Sequence, residues 1–326
     1  MPKLQLTPDW DKIYPKSDKV DHEKITFHNH YGIELAADLF KPKGATAPFS
    51  AIALAGPFGA VKEQSSGLYA QELAERGYLT IAFDPSFTGE SGGSPRYVAS
   101  PEINSEDFSA AVDYLSCRDD VNPEHIGILG VCGFGGMALS AASNDPRIKA
   151  TVASTMYNMS RVHANGYFDA DDNAEARNKL RAQIAAQRTA DYKAGDEKRA
   201  GGFGDEEPQG VPDFVKDYFW YYRKKAYHPR SANSTDGWIA TFQFPFLNFP
   251  LLTYIDEIEN PVMLVHGENA HSLYFAKDAY EKMKGGVAPD NKELIIVPGA
   301  NHVDLYDQMD KIPFDAIDEF FGKYLK

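Results

Sequence analysis

The sequence predicts an α/β protein, a mostly parallel, doubly wound sheet that carries a large helical insertion. Three observations predict it. Short apolar runs of strand length alternate with segments of helical spacing from Ile25 to Ser154, and again from Val262 onward. Such alternation marks a parallel sheet covered by helices on both faces. The stretch HIGILGVCGFGGMALSAA, over 125–142, passes from an apolar run through a cysteine and a glycine-dense turn into a helix-forming run. Between 157 and 253 the alternation stops and aromatic residues accumulate.

Taken in order, apolar segments over 25–27 and 33–40 flank His30-Tyr31-Gly32 and predict a β-hairpin at a sheet edge. A short buried strand over 50–55 ends at Gly56-Pro57-Phe58-Gly59. Helical spacing through Leu68 and Leu73 predicts a helix over 66–76, stopped by Gly77. A strand over 78–83 leads to Asp84-Pro85 and the loop Gly89-Glu90-Ser91-Gly92-Gly93. Asn104 or Ser105 is expected to cap a helix reaching Cys117. The strand over 126–131 and its following helix come next, then a strand over 148–154.

Within the interruption, 174–192 reads as a long helix and 193–212 as a loop, while 214–227 and 241–254 are dense in aromatics. Structureless connections of this length are uncommon in compact domains. The block is therefore expected to be a lid above the carboxyl ends of the strands, where sites form in such sheets. The rhythm resumes with a strand over 262–265 ending at His266-Gly267-Glu268, a helix including 278–283, and a last strand over 293–297. Pro313 opens a terminal amphipathic helix with Phe314, Ile317, Phe320 and Phe321 inward. The domain reading is a core of 1–156 and 254–326 with a helical lid of 157–253 inserted in it.

Composition narrows the functional classes. Hydrophobic residues at 43% and charged ones at 25% of 326 residues fit a soluble globular protein. With 33 basic against 47 acidic residues the net charge is −14, which repels phosphate backbones and argues against a nucleic-acid partner. The two cysteines, Cys117 and Cys132, form no C-x-x-C pair, so neither a zinc site nor a disulfide framework is expected. Cys117 follows an apolar helix face ending at Leu115 and is expected to be structural. The opening MPKLQLTPDWDK carries no apolar signal core, and no run reaches transmembrane length. The expectation is a cytoplasmic protein with reduced thiols. Its expected partner is a small-molecule substrate, with no membrane, no metal and no cofactor; a homodimer is left open.

The chemistry concentrates at Cys132. A sharp strand-to-helix turn is the setting of a nucleophile elbow, in which small neighbours let strand and helix approach closely. A thiol there could attack a carbonyl carbon, and the helix N-terminus is expected to favour its thiolate. The common pattern is G-x-nucleophile-x-G. Read from Gly130 it places Cys132 at the nucleophile but Phe134 where glycine is usual. Read back from Gly135-Gly136 it places Gly133 there, which has no side chain. Both registers stay open at this point; the second gives a non-catalytic elbow.

His302 follows the last strand in a Gly-Ala-Asn loop, where an imidazole can swing over the rim as general base and later acid. The chain order Cys132, Glu268, His302 matches a nucleophile–acid–histidine order. His266 is expected to be a buried hydrogen-bonder, and His271 is a minor candidate. Lys62 with Glu63 reads either as an ion pair at the rim or as a solvated helix start, and Asp84 and Glu90 carry the same ambiguity.

The residues resemble the α/β-hydrolase superfamily in its dienelactone-hydrolase-like branch, and more narrowly the bacterial YcjY-like proteins and the related fungal polyketide transferases. The resemblance rests on GPFGAVKEQ, FDPSFTGESGG, GVCGFGG, HPRSANS, FPLLTYI, HGENAHS and PGANHVDLYD, which span nearly the whole chain. It implies an α/β-hydrolase fold and an ester or thioester substrate, cleaved or transferred through an acyl-enzyme; the aromatic residues of the lid add the expectation of a hydrophobic acyl group. Many such proteins carry the acid as the last residue of H-G-x-x-D, and that position here is Ala270; the acid then comes from Glu268, two residues earlier, or from elsewhere, and Glu268 reads equally as a structural residue tying down its loop. The resemblance also places Pro57, which has no N–H, where an oxyanion donor is wanted. Phe58 N–H is then expected to pair with Gly133 N–H as the oxyanion hole.

Overall fold

The computed structural model describes residues 4–326. Eight strands form one sheet in the order β1-β2-β4-β3-β5-β6-β7-β8. The edge hairpin is β1 (Val20–His28) and β2 (Glu34–Pro42), and β2 also pairs antiparallel with β4 (Leu79–Phe83). Every other pairing is parallel, through β3 (Phe49–Ala55), β5 (Val121–Val131), β6 (Ala150–Ser154), β7 (Val262–Gly267) and β8 (Lys292–Val297). The inner strands are buried along nearly their whole length, as near-continuous apolar runs require.

Register places the site. Ala55 pairs with Gly130, Val131 with Ser154, Ser154 with Val265 and Gly267 with Val297. The carboxyl ends of five neighbouring strands are therefore level. The loops after them, holding Phe58, Cys132, Thr155, Glu268 and His302, leave from one rim.

Helices α1 (Ser65–Glu75), α2 (Pro101–Ser116) and α3 (Gly133–Asn144) cover the sheet. Gly77, at φ 105°, ends the turn after α1 in a conformation an L side chain resists. The cap of α2 lies earlier than the sequence suggested. Ser100 accepts from Ile103 N–H at 3.3 Å and Pro101 takes the first helical position, so Asn104 and Ser105 are already inside the helix. Cys117 caps the other end of α2 and is exposed rather than packed.

Between β6 and β7 the chain forms α4 (Met159–Asn165), α5 (Ala174–Ala194), α6 (Asp213–Phe219) and a π turn (Trp220–Lys225), followed by short 3₁₀ turns. Of α5 only Ile184 is buried. The chain then closes with α7 (Leu273–Lys284), α8 (Asp304–Asp307) and α9 (Phe314–Leu325). Phe314, Ile317, Phe320 and Phe321 of α9 all enter the core. Among the described residues no helix is long and apolar enough to cross a membrane.

Lys62 lies inside the protein, not on a solvated helix start. Its ammonium contacts Glu63 at 2.7 Å, Asp84 at 2.8 Å and Glu90 at 2.6 Å, with every partner buried. Those carboxylate oxygens lie within 4.8 Å of one another, and the lysine supplies their counter-charge. Arg230 joins from the HPRSANS segment, at 2.8 Å from Glu63 and 2.7 Å from Asp11. The cluster binds together the loop after β3, the loop after β4 and the 228–234 segment. Removing one partner from a buried ion cluster leaves the others uncompensated and costs about 3–5 kcal/mol. Lys62→Met is expected to lower stability by about that amount, read as a shift of the urea unfolding midpoint at unchanged m-value. A midpoint equal to wild type would show that the cluster contributes nothing net.

Candidate active site

Cys132 closes β5 and caps α3 with φ 59° and ψ −124°. A non-glycine residue there is rare, and such strain clusters at functional sites. Surrounding bonds hold it. Its N–H donates to Ser154 O at 2.9 Å, and its carbonyl accepts from Gly135 N–H at 2.9 Å and Tyr157 N–H at 3.0 Å.

The small neighbours are required. A Cβ at Gly130 would overlap the Phe134 carbonyl, and one at Gly136 would overlap the Tyr157 carbonyl. A Cβ at Gly133 would sit 2.7 Å from Phe58 Cβ, and one at Gly135 2.7 Å from Met156 Cβ. Phe134 is tolerated because its side chain turns into the core, 2% exposed, with its ring 6.4 Å from that of Phe108. The close approach falls at Gly135 and Gly136 instead. Of the two registers, the strained elbow conformation belongs to Cys132; Gly133 is the first residue of the helix.

The backbone N–H groups of Phe58 and Gly133 lie beside the Cys132 thiol and act to lower its pKa. Phe58 is fixed from the far side. Asn233 Nδ2 donates to Phe58 O at 2.7 Å, while Ser231 Oγ donates to Gly59 O at 2.8 Å. The Phe58 ring stacks on Trp238 with centroids 4.3 Å apart. The expected thiolate is not the resting state. Burial pushes the Cys132 thiol up to about 11, against the Phe58 and Gly133 amides, which pull the other way.

His302 is buried beneath this centre but forms no hydrogen bond to Cys132. Its Nε2 meets Tyr306 Oη at 3.0 Å, and its Nδ1 lies 2.6 Å from Ser272 Oγ and 2.9 Å from Thr155 Oγ1. Thr155, at the end of β6, is a second strained residue, with φ 45°. Burial first, then the nearby His271 and His266, hold the His302 pKa well below the ordinary imidazole value. His302 is thus neutral at pH 7.

Glu268, the expected acid, is not brought to His302. It is exposed and accepts from Gly299 N–H at 2.9 Å, tying the loop after β8 to the end of β7. The displacement from the usual acid position carries its carboxylate to the outer side of the rim. Among the described residues no carboxylate hydrogen-bonds His302; hydroxyls of Ser272 and Thr155 take that place. Glu268→Gln keeps the oxygen that Gly299 uses. Its turnover of a p-nitrophenyl ester is therefore expected within about twofold of wild type. A loss matching that of His302→Ala would return Glu268 to the site.

His266 is buried, with Nε2 3.4 Å from Ser272 Oγ. His271 stacks on Phe214 at 3.8 Å and bonds the Tyr157 hydroxyl. A cavity of about 880 Å³ opens over Cys132. Tyr157, Tyr167, Tyr218, Tyr222 and Tyr306 line it, with Phe58, Met159, Trp238 and Phe242. The roles of Tyr306, Ser272, Thr155 and Asn233 were not read from the sequence. The one signal for Tyr306 is its place four residues after His302 in the PGANHVDLYD segment.

Elbow, amides and buried histidine on a mostly parallel eight-stranded sheet define the class: this is an α/β-hydrolase fold. More particularly, residues 31–304 match the family model of X-Pro dipeptidyl-peptidase (S15 family), and the chain belongs to that family. It is 53% identical over 326 residues to the uncharacterized protein PA2218 of Pseudomonas aeruginosa, covering 99% of this chain and 86% of that one. It is 35% identical over 297 residues to the uncharacterized protein YcjY of Escherichia coli, covering 88% and 93%. A stretch of 137 residues, 42% of each chain, is 31% identical to the thiohydrolase aneE of Aspergillus aculeatus. The crystal structure of PA2218 superposes with a TM-score of 0.95 at 52% identity over 100% of both chains. The α/β hydrolase GrgF of a Penicillium species gives 0.75 at 20% identity, covering 94% and 99%, and shares the fold.

Proposed function

We propose that the protein transfers acyl groups from esters or thioesters through a Cys132 acyl-enzyme, with Phe58 and Gly133 N–H groups as the oxyanion hole and His302 as the base. The observation that carries this reading is a thiol held in the elbow conformation where the Phe58 and Gly133 segments meet. Donors aimed at a developing oxyanion are the largest single contribution in many acyl-transfer sites. The thiohydrolase name of one relative supports the same reaction class.

The missing carboxylate bears on the choice of nucleophile. An imidazolium without a counter-charge is costly in a buried site, so the base can take only a comparatively acidic proton. A thiol offers one. Burial keeps the thiol protonated at neutral pH, so the proton leaves during the attack rather than before it. Water resolves the acyl-enzyme in a hydrolase, an acceptor alcohol in a transferase.

The segment over 157–253 acts in this account as the lid. Its aromatic side chains roof the cavity, so acyl groups longer than acetyl should bind better. Each buried methylene is worth about 0.8 kcal/mol, or about fourfold in kcat/KM. A series of p-nitrophenyl esters from acetyl to hexanoyl is expected to rise by that step. A flat or falling series would mean a small polar substrate, or a ligand-binding protein that does not turn over.

A further inference from the structure

We propose that Tyr306 is a catalytic residue, a phenol that relays the Cys132 proton to His302. The inference rests on the cysteine acyl-enzyme reading and adds a member to it. Cys132 and Tyr306 both line the cavity, while His302 does not. Tyr306 is fully buried, and its hydroxyl meets His302 Nε2 at 3.0 Å. Among the described residues, Tyr306 is the one hydrogen-bond partner of the His302 ring that also lines the cavity with Cys132.

The hydrogen-bond network sets the direction of transfer. Thr155 Oγ1 donates to His302 O at 3.3 Å, so its lone pairs face His302 Nδ1. Ser272 Oγ lies between His266 Nε2 at 3.4 Å and His302 Nδ1 at 2.6 Å, and can donate to the first while accepting from the second. Nδ1 then carries the proton and Nε2 the lone pair, an assignment made from these partners. Nε2 accepts from the Tyr306 O–H, which leaves Tyr306 Oη with a lone pair for the thiol proton.

In the forward step the Cys132 S–H bond breaks and its proton passes to Tyr306 Oη. The proton of Tyr306 passes to His302 Nε2. The S–C bond forms at the substrate carbonyl, and the carbonyl π pair moves to the oxygen held by Phe58 and Gly133. Collapse expels the leaving group, which takes a proton back along the same chain. Tyr306 begins and ends as a neutral phenol, and no redox change occurs.

The test measures acylation by a p-nitrophenyl ester in three proteins: wild type, Tyr306→Phe and Cys132→Ala. Tyr306→Phe keeps the ring and loses only Oη. It is expected to lower the acylation rate by a factor on the order of 10² with KM unchanged. Wild-type rates in mixtures of light and heavy water should follow a curved proton inventory, the mark of two protons in flight. That second readout stands even if the phenylalanine variant fails to fold. A wild-type rate in Tyr306→Phe, a faster one, or a linear inventory would overturn the relay. Faster turnover would mean that the ring swings aside to let His302 meet the thiol. Activity surviving in Cys132→Ala would instead sink the acyl-enzyme reading beneath it.

Discussion

Cys132→Ala is expected to abolish ester and thioester turnover, by a factor on the order of 10⁴ or more, while the fold persists. In the proposed mechanism the thiol supplies the bond that forms with the acyl group. The fold should survive because the elbow is held by backbone bonds to Ser154, Gly135 and Tyr157, none of which uses the side chain. Thermal unfolding and circular dichroism check the fold, and steady-state hydrolysis checks the loss. Wild-type rates in this variant would return the elbow to the Gly133 register, in which no side chain is available.

The second large effect is expected at His302. His302→Ala should slow acylation by a factor on the order of hundreds or more, from lost base catalysis. The pH profile carries the sharper test. Only the neutral imidazole accepts a proton, so activity is present above the His302 pKa and lost as pH falls through it. Burial holds that pKa well below its ordinary value of about 6.5, helped by His271 and His266. Thr155, Ser272, Tyr157, Tyr218 and Tyr306 also face the ring, and none carries charge near neutrality. The acid limb of wild-type kcat/KM should therefore lie below pH 6.5, with a flat profile across neutrality. A limb centred near 7, or an alanine variant with the wild-type profile, would remove His302 as the base.

Much of the fold was legible in the sequence because the sheet is buried on both sides. Its strands are near-continuous apolar runs such as Ser50 to Ala55, and punctuation such as Gly77 marks where elements stop. Boundaries were less legible where two chemistries compete. Ser100-Pro101 is a cap followed by a helix-opening proline, but Pro101 also reads as a breaker, and the start of α2 was placed too late. At the site, position along the chain brought out residues that follow strands: Cys132, His302, Phe58 and Gly133. It could not show which way a side chain turns. Glu268 follows its strand as expected, yet its carboxylate serves Gly299. Lys62 looks like a solvated charge until Glu63, Asp84 and Glu90, two of them from another loop, close around it. Tyr306 was hidden for a related reason: a tyrosine on an amphipathic turn reads as packing, and only its distance to His302 Nε2 reveals a polar role.

The most direct test of the account is to trap the acyl-enzyme. The protein is mixed with p-nitrophenyl butyrate, quenched in acid within the first turnover, digested and mapped by mass spectrometry. The account predicts one butyryl group, carried on the peptide containing Cys132 and absent from that containing Cys117. Nitrophenolate release with no adduct on Cys132, or with the acyl group on another residue, would contradict it.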